Sequence, residues 1–307
     1  ILAFKPNIRI VAYVPEMCHP LLQVTDKITC LGSTSLLKLF FKLNHLGRRA
    51  ALLDFQPTLR FRVLGRLIGC GLISGLVKNK GFFTAFDTHS PRPMILNRPQ
   101  YQSYLDVIRR LGCDICFSED FFQKSAATFP KFKLAPKEPY VVIQPGSRWM
   151  FKSLSVRQWV ELATMVQRKF NCTVVVTGGD SPQEINLGLE LSNLDNVISM
   201  VGITSILELT VLLRDSQGYV GIDTFTSHLA AFLGIPGVVI FGPSDKVIWG
   251  PTFGSSLVII TPEERSFPCM PCNQDGCGGS KISECLYSLK PETVLAQLNA
   301  QMEDLTD

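Results

Sequence analysis

The chain has 307 residues, enough for two ordinary domains, and its 46% hydrophobic and 18% charged content is that of a well-buried globular protein. A net charge of +4 argues against a dedicated nucleic-acid binder, while weak attraction to an anionic membrane surface stays compatible with it. The most apolar region, Val63 to Val77, is broken by Arg66 and four glycines and is too short to span a bilayer.

Strand-like and helix-like segments alternate along the chain. Ile1 to Pro6 reads as the tail of a helix. Ile8 to Val14 reads as a buried strand, Ser35 to Leu46 as an amphipathic helix, Ala50 to Phe55 as a strand, and Thr58 to Ile68 and Tyr101 to Leu111 as helices. A Lys/Pro-rich break, Lys131 to Pro139, has linker composition. The pattern then restarts more regularly. Strands are predicted at Tyr140 to Gln144, Cys172 to Thr177, Val197 to Val201, Gly218 to Ile222 and Gly237 to Phe241. Helices are predicted at Ser155 to Phe170, Pro182 to Leu191, Ser205 to Arg214 and Thr226 to Leu233. Near-continuous apolar strands alternating with helices imply an α/β fold with parallel sheets covered on both faces. The expected domains are 1–135 and 136–307.

Three loops carry candidate chemistry. In QPGSRWMFKSLS, Gln144 to Ser155, a strand ends in a turn containing Gly146 and Ser147, and Lys152 precedes a helix capped by Ser153 or Ser155. Free N–H groups plus a lysine suit a diphosphate, although a solvated loop explains the same residues about as well. The full Walker pattern is missing, which makes a P-loop NTPase a poor fit. In TGGDSPQE, Thr177 to Glu184, two glycines allow close backbone approach, and Asp180 or Glu184 could accept from ribose hydroxyls. Helix capping by Asp180 or Ser181 is the competing explanation. In GIDTFTSHLAAFLGIPGVVIFGPSD, Gly221 to Asp245, two adjacent strands end in small and polar residues, as in the ligand crevice of an open α/β sheet. Asp223, Thr224 and His228 sit at the opening of its helix, where backbone N–H groups suit an anion. A histidine there is more often structural than catalytic, but capping does not account for the whole Thr-Phe-Thr-Ser-His run.

Of the ten cysteines, six are scattered, most in apolar contexts: Cys18, Cys30, Cys70, Cys113, Cys116 and Cys172. The scatter fits a reducing compartment. The other four, Cys269, Cys272, Cys277 and Cys285, fall in CMPCNQDGCGGSKISEC. A structural zinc site is the leading reading, with a disulfide pair, an iron–sulfur cluster or free thiols competing. Arg60, Arg62, Arg66, Lys78 and Lys80 form a basic series that could meet phosphorylated sugars or simply be a solvated helix face.

Taken together, PGSRWMFKSLSVRQW, TGGDSPQE, the Gly221 to Asp245 stretch and the cysteine-bearing tail resemble the lipopolysaccharide heptosyltransferases of glycosyltransferase family 9. The resemblance runs from Tyr140 to about Leu298 and takes the form of the outer-core, heptosyltransferase III branch. The amino-terminal half matches more loosely, through Ile8 to Val14 and Leu52 to Arg60. The resemblance implies a GT-B architecture of two Rossmann-like domains facing across a cleft. It implies an inverting transfer from ADP-L-glycero-D-manno-heptose to the inner core of lipopolysaccharide, on the cytoplasmic face of the inner membrane of a Gram-negative cell. No cofactor is implied for catalysis. Gly146, Ser147 and Lys152 would hold the diphosphate, and Lys152 would also offset charge on departing ADP. Asp180, and after it Glu184, would contact the ribose, and Asp223, Thr224 and His228 would surround diphosphate and sugar. Lys152 and Asp223 are the catalytic candidates. The family's carboxylate base lies in a Gly-Asp turn after the first strand, expected upstream of Ile1, and Asp54 is a poor substitute. The chain as it stands is therefore expected to show little or no transfer. A catalytically degenerate nucleotide-sugar binder and a transferase using another nucleotide sugar are the alternatives.

Overall fold

A computed structural model of the chain describes residues 7, 9–22, 26–32, 35–55, 59–77, 87, 92–93, 97–112, 119–251 and 256–303. It divides into two compact units, Ile1–Phe117 and Ser118–Asp307.

Unit 1 carries strands β1 (Ile10–Tyr13), β2 (Ile28–Leu31), β3 (Ala51–Asp54), β4 (Leu72–Val77) and β5 (Arg92–Pro93). Its helices are α1 (His19–Leu22), α2 (Leu36–Leu43), α3 (Leu59–Ile68) and α4 (Gln100–Ile108). β1 pairs with β2, and β3, β4 and β5 form a second parallel sheet. A short 3-10 segment, Asn44–Arg49, follows α2, and another, Arg109–Leu111, follows α4. α2 is capped by Ser35, whose Oγ accepts from Lys38 N, and it packs Leu39, Phe40 and Leu43 against Leu64, Ile68 and Phe61 of α3.

The core of this unit also holds charge. Arg62 of α3 is fully buried. Its Nη2 donates to Leu76 O at 2.6 Å, its Nε lies 3.5 Å from Asp54 Oδ2, and its Nη1 lies 3.3 Å from Asp87 Oδ2. Burial pushes the Asp87 carboxyl up to about 6, against the pull of the Arg62 guanidinium. The expected basic series is therefore not a single face. Arg62 points inward because only an ion network compensates a buried guanidinium. Arg60 and Arg66 are exposed, and Lys78 and Lys80 lie outside the described residues.

Unit 2 begins with α5 (Glu119–Ala127) and continues through β6 (Tyr140–Gln144), α6 (Val156–Phe170), β7 (Thr173–Val176), α7 (Pro182–Leu191) and β8 (Val197–Ser199). It goes on with α8 (Ile206–Arg214), β9 (Gly218–Ile222), α9 (Phe225–Leu233), β10 (Gly237–Ile240), α10 (Lys246–Trp249), β11 (Leu257–Ile260), α11 (Glu284–Tyr287) and α12 (Pro291–Glu303). The division falls after Phe117 and not at 135, because the segment following it is tied to this unit. Phe122 of α5 packs against Phe232 of α9, and Arg214 of α8 donates to the carbonyls of Ala126 and Phe129.

The six strands form one parallel sheet in the order β11-β10-β9-β6-β7-β8. Counted within the unit this is 3-2-1-4-5-6, the doubly wound Rossmann order, which reverses direction between β6 and β9. Strand residues alternate between two cores. Val141, Ile143, Val174 and Val176 meet Trp159 and Leu162 of α6, Leu187 of α7 and Leu298 of α12. Val142, Val175, Tyr219 and Val239 meet Leu212 of α8 and Leu229 of α9 on the other face. Short side chains on local caps start the helices. Ser155 and Gln158 form a capping box on α6, Ser205 and Glu208 another on α8, and Ser181 caps α7 with Pro182 at its first position. α9 stops at Gly234, whose φ of 73° is a left-handed conformation that glycine adopts without strain.

Candidate functional site

The reversal between β6 and β9 is where an open sheet leaves a crevice at the carboxyl ends of its strands. Both candidate loops end there. From β6 the chain runs through Gly146 and Ser147 to Lys152, and from β9 it runs through Asp223 and Thr224 into α9. Lys152 Nζ meets Asp223 Oδ2 at 2.5 Å, with the two side chains only 14% and 10% exposed. Residues 71 positions apart are thus brought into one ion pair. The Trp149 ring lies 5.0 Å from the same ammonium, itself stacked on Phe151, so the cation rests between a carboxylate and an aromatic face.

The floor of the site is a buried amide. Gln144 ends β6 with 4% exposure. Its Nε2 donates to Gly146 O at 3.0 Å, and its Oε1 accepts from Thr177 Oγ1 at 2.7 Å and from Thr226 Oγ1 at 3.4 Å. One side chain therefore joins the end of β6, the end of β7 and the start of α9. Ser153 reinforces the loop above it, donating to Pro145 O at 2.7 Å and accepting from Trp159 Nε1 at 2.9 Å. Neither Gln144 nor Trp149 was singled out from the sequence. The signal for both was present: a polar residue closing an apolar strand, and a tryptophan three residues before the loop lysine.

Thr224 occupies the N-cap position of α9 but its side chain caps nothing. Its Oγ1 is buried beside the Tyr219 hydroxyl, too poorly aligned for a hydrogen bond of ordinary geometry. The start of α9 thus combines helix N–H groups with this hydroxyl, directly after the Asp223 that Lys152 reaches. His228, one turn into α9, is largely buried, and burial pushes its imidazole below the usual range although Asp223 and the Trp249 backbone pull the other way. It is neutral near pH 7 and available as a hydrogen-bonding group, not as a charge.

The other expected residues sort differently. Ser147 is half-buried and its hydroxyl is committed locally, donating to Trp149 O and accepting from Trp149 N. Asp180 is exposed at the turn after β7, whereas Glu184 is 6% exposed. Glu184 accepts from Gly179 N at 2.9 Å and from Ser181 Oγ at 2.8 Å. A Cβ on Gly146 would come within 2.8 Å of Glu184 Cγ, so this glycine is what lets the β6 loop lie against the carboxylate. Ser181, not Asp180, is the helix cap. In the second polar turn Asp245 serves α10, accepting from Val247 N and Ile248 N.

The four clustered cysteines are neighbours in the structure. Cys269 and Cys277 are exposed, Cys272 is half-buried and Cys285 is buried, and all four are free thiols. Burial, reinforced by the three neighbouring thiols, pushes the Cys285 thiol up to about 11. Among the described residues no group of three or more His, Cys, Asp or Glu side chains is placed to hold a metal ion. The geometry thus lends the zinc reading no support. Cys113 and Cys116 lie outside the described residues, and no helix among the described residues is long and apolar enough to cross a membrane.

Residues 97–281 match the family described as glycosyltransferase family 9 (heptosyltransferase). Lipopolysaccharide heptosyltransferase 1 of Pseudomonas aeruginosa is 28% identical over 181 residues, 54% of this chain and 49% of that protein. The chain spans about half the length of the curated relatives it matches. Among solved structures, Escherichia coli ADP-heptose LPS heptosyltransferase II superposes with a TM-score of 0.74 at 17% identity, covering 100% of this chain and 93% of that one. Escherichia coli heptosyltransferase WaaC with ADP gives a TM-score of 0.73 at 14% identity, over 98% and 92% of the two chains. At these identities the likeness is one of fold, and it bears out the expected α/β class of GT-B type, with two Rossmann-like units built on parallel sheets.

Proposed function

The chain belongs to glycosyltransferase family 9, and we propose that it moves heptose from ADP-L-glycero-D-manno-heptose to the inner core of lipopolysaccharide with inversion at the anomeric carbon. One observation carries the reading. At the Rossmann reversal, Lys152, the start of α9 and the Thr224 hydroxyl supply a cation, amide dipoles and a hydroxyl group at one spot. That is the chemistry a diphosphate needs. The relatives' names supply the sugar: heptosyltransferase in each case, with ADP-heptose for the Escherichia coli structure.

In this reading the pyrophosphate lies between Lys152 and the first turn of α9, with Thr224 donating to a phosphate oxygen. Asp180, exposed at the turn after β7, takes the ribose, and Glu184, buried against Gly146 and Gly179, holds that turn in place. As the bond from the anomeric carbon to the phosphate oxygen lengthens, charge builds on the departing ADP and the Lys152 ammonium stabilises it in place. The acceptor hydroxyl attacks the opposite face and passes its proton to a carboxylate base. Asp223 does not fill that role, being paired with Lys152, nor does Asp54, which faces Arg62 in the core of unit 1. The acceptor is a lipid A–core oligosaccharide, and the protein works at the cytoplasmic surface of the inner membrane as a peripheral enzyme. No nucleic acid and no metal takes part.

Calorimetric titration with ADP, UDP and ADP-heptose, alongside ADP release in the presence of lipid A–core, tests the proposal. ADP is expected to bind better than UDP, and Lys152→Ala to weaken ADP about tenfold while slowing transfer about a hundredfold, if one donor to the leaving group is lost. Lys169→Ala, on the exposed end of α6, should change neither. Tighter UDP binding would point to another nucleotide sugar. ADP-heptose binding without turnover would leave a nucleotide-sugar binder.

A further inference from the structure

α2 shows large apolar and basic side chains to solvent together. Its inner face, Leu39, Phe40 and Leu43, is spent on α3. Its outer face presents Leu37 and Phe41, one turn apart and 66% and 67% exposed. Lys38 and Lys42 stand beside them on the same side, also exposed. The 3-10 segment that follows adds exposed His45, Arg48 and Arg49. No acidic residue occurs between Ser35 and Ala50, so the patch has four fixed positive charges around two large apolar side chains.

We propose that α2 and the basic segment after it are a membrane-contact surface, with Leu37 and Phe41 entering the headgroup layer of an anionic bilayer and Lys38, Lys42, Arg48 and Arg49 meeting lipid phosphates. Apolar side chains with flanking lysines and arginines are what an interfacial helix uses, and neither element suffices alone. A protein partner of ordinary kind would cover the apolar pair but leave a concentrated positive charge without a counter-surface. The helix is only two turns long, too short to hold itself on a surface as a free peptide. Here its inner face is already anchored in the core of unit 1, so the outer face is offered pre-folded. The inference rests on the reading above that the acceptor is lipid-linked, and gives that reading a location on the molecule.

The test is sedimentation of the full chain with phosphatidylcholine vesicles, with and without phosphatidylglycerol, in the absence of nucleotide. Binding is expected only to the phosphatidylglycerol vesicles and should fall as salt rises. The pairs Leu37→Ser with Phe41→Ser, and Lys38→Glu with Lys42→Glu, should each lower the partition coefficient about tenfold. Because all four side chains are exposed, circular dichroism and ADP affinity should stay at wild-type values. Failure of the wild type to bind phosphatidylglycerol vesicles, or binding that both variants retain, would overturn the proposal. So would self-association of the wild type that the Leu37/Phe41 variant abolishes, since a second copy would then be the occupant. Loss of ADP binding in the wild type would count against the transferase reading and leave the vesicle result standing.

Discussion

The two units bury charge on opposite terms. Unit 2 keeps the interior of its sheet apolar and sets the Lys152–Asp223 pair at the rim, where both side chains retain some exposure. Unit 1 places a guanidinium between two carboxylates inside its core, with Arg62 at 0% and Asp54 at 4% side-chain exposure. A charge at a rim can change partners when a ligand arrives. A charge sealed in a core can only hold elements together, and it does so at a desolvation cost. The first arrangement suits a binding site and the second a scaffold.

The comparison can be strained from either side. The largest effect should come from the apolar unit: Trp159→Ala removes a fully buried ring and the bond to Ser153, and should cost about 4 kcal/mol in denaturant unfolding. Arg62→Met comes next, at about 3 kcal/mol, because it leaves Asp54 and Asp87 buried without their cation. Hydrogen exchange should place the first loss in unit 2 and the second in unit 1. An effect of similar size separates the units by pH. Asp87 is raised in the folded state from 3.8 to about 6, so between those values the native protein holds a proton that the unfolded chain releases. The contribution of this group to stability is then largest below about pH 4, falls as pH rises to about 6 and is flat above, a span of roughly 3 kcal/mol that Asp87→Asn should abolish. If the slope appeared in the exchange of unit 2 instead, the contrast would fail. The smallest effect is local: Ser205→Ala removes the capping box of α8 and should cost about 1 kcal/mol.

The same contrast decides what could be read without coordinates. In unit 2, strands such as Tyr140–Gln144 and Gly218–Ile222 are continuous apolar runs closed by glycine or polar residues, and their bounds were legible to the residue. Lys152, Asp223, Thr224 and His228 were legible as residues that follow such strands, the place where an open sheet leaves a crevice. What the chain order hides is pairing: nothing in sequence joins Lys152 to Asp223 or Gln144 to Thr177. In unit 1 the pattern itself misleads. LRFRVLGRLI reads as an amphipathic helix with an outward basic face, yet its second arginine is interior, since only a distant aspartate makes burial tolerable. β2 and β4 also escaped the reading, the first short, the second rich in glycine and serine.

The clasp between Lys152 and Asp223 means that the site never waits empty of negative charge. On the proposed reading, an arriving diphosphate would not add an anion to a bare cation; it would compete with a resident one. Occupancy is then an exchange, in which Asp223 must yield some of its hold and resumes it when the phosphate goes. Such a lysine grips its ligand less tightly than a free one would, and it also lets go sooner. For an enzyme that must shed a spent nucleotide every cycle, a built-in rival for the cation is a means of release.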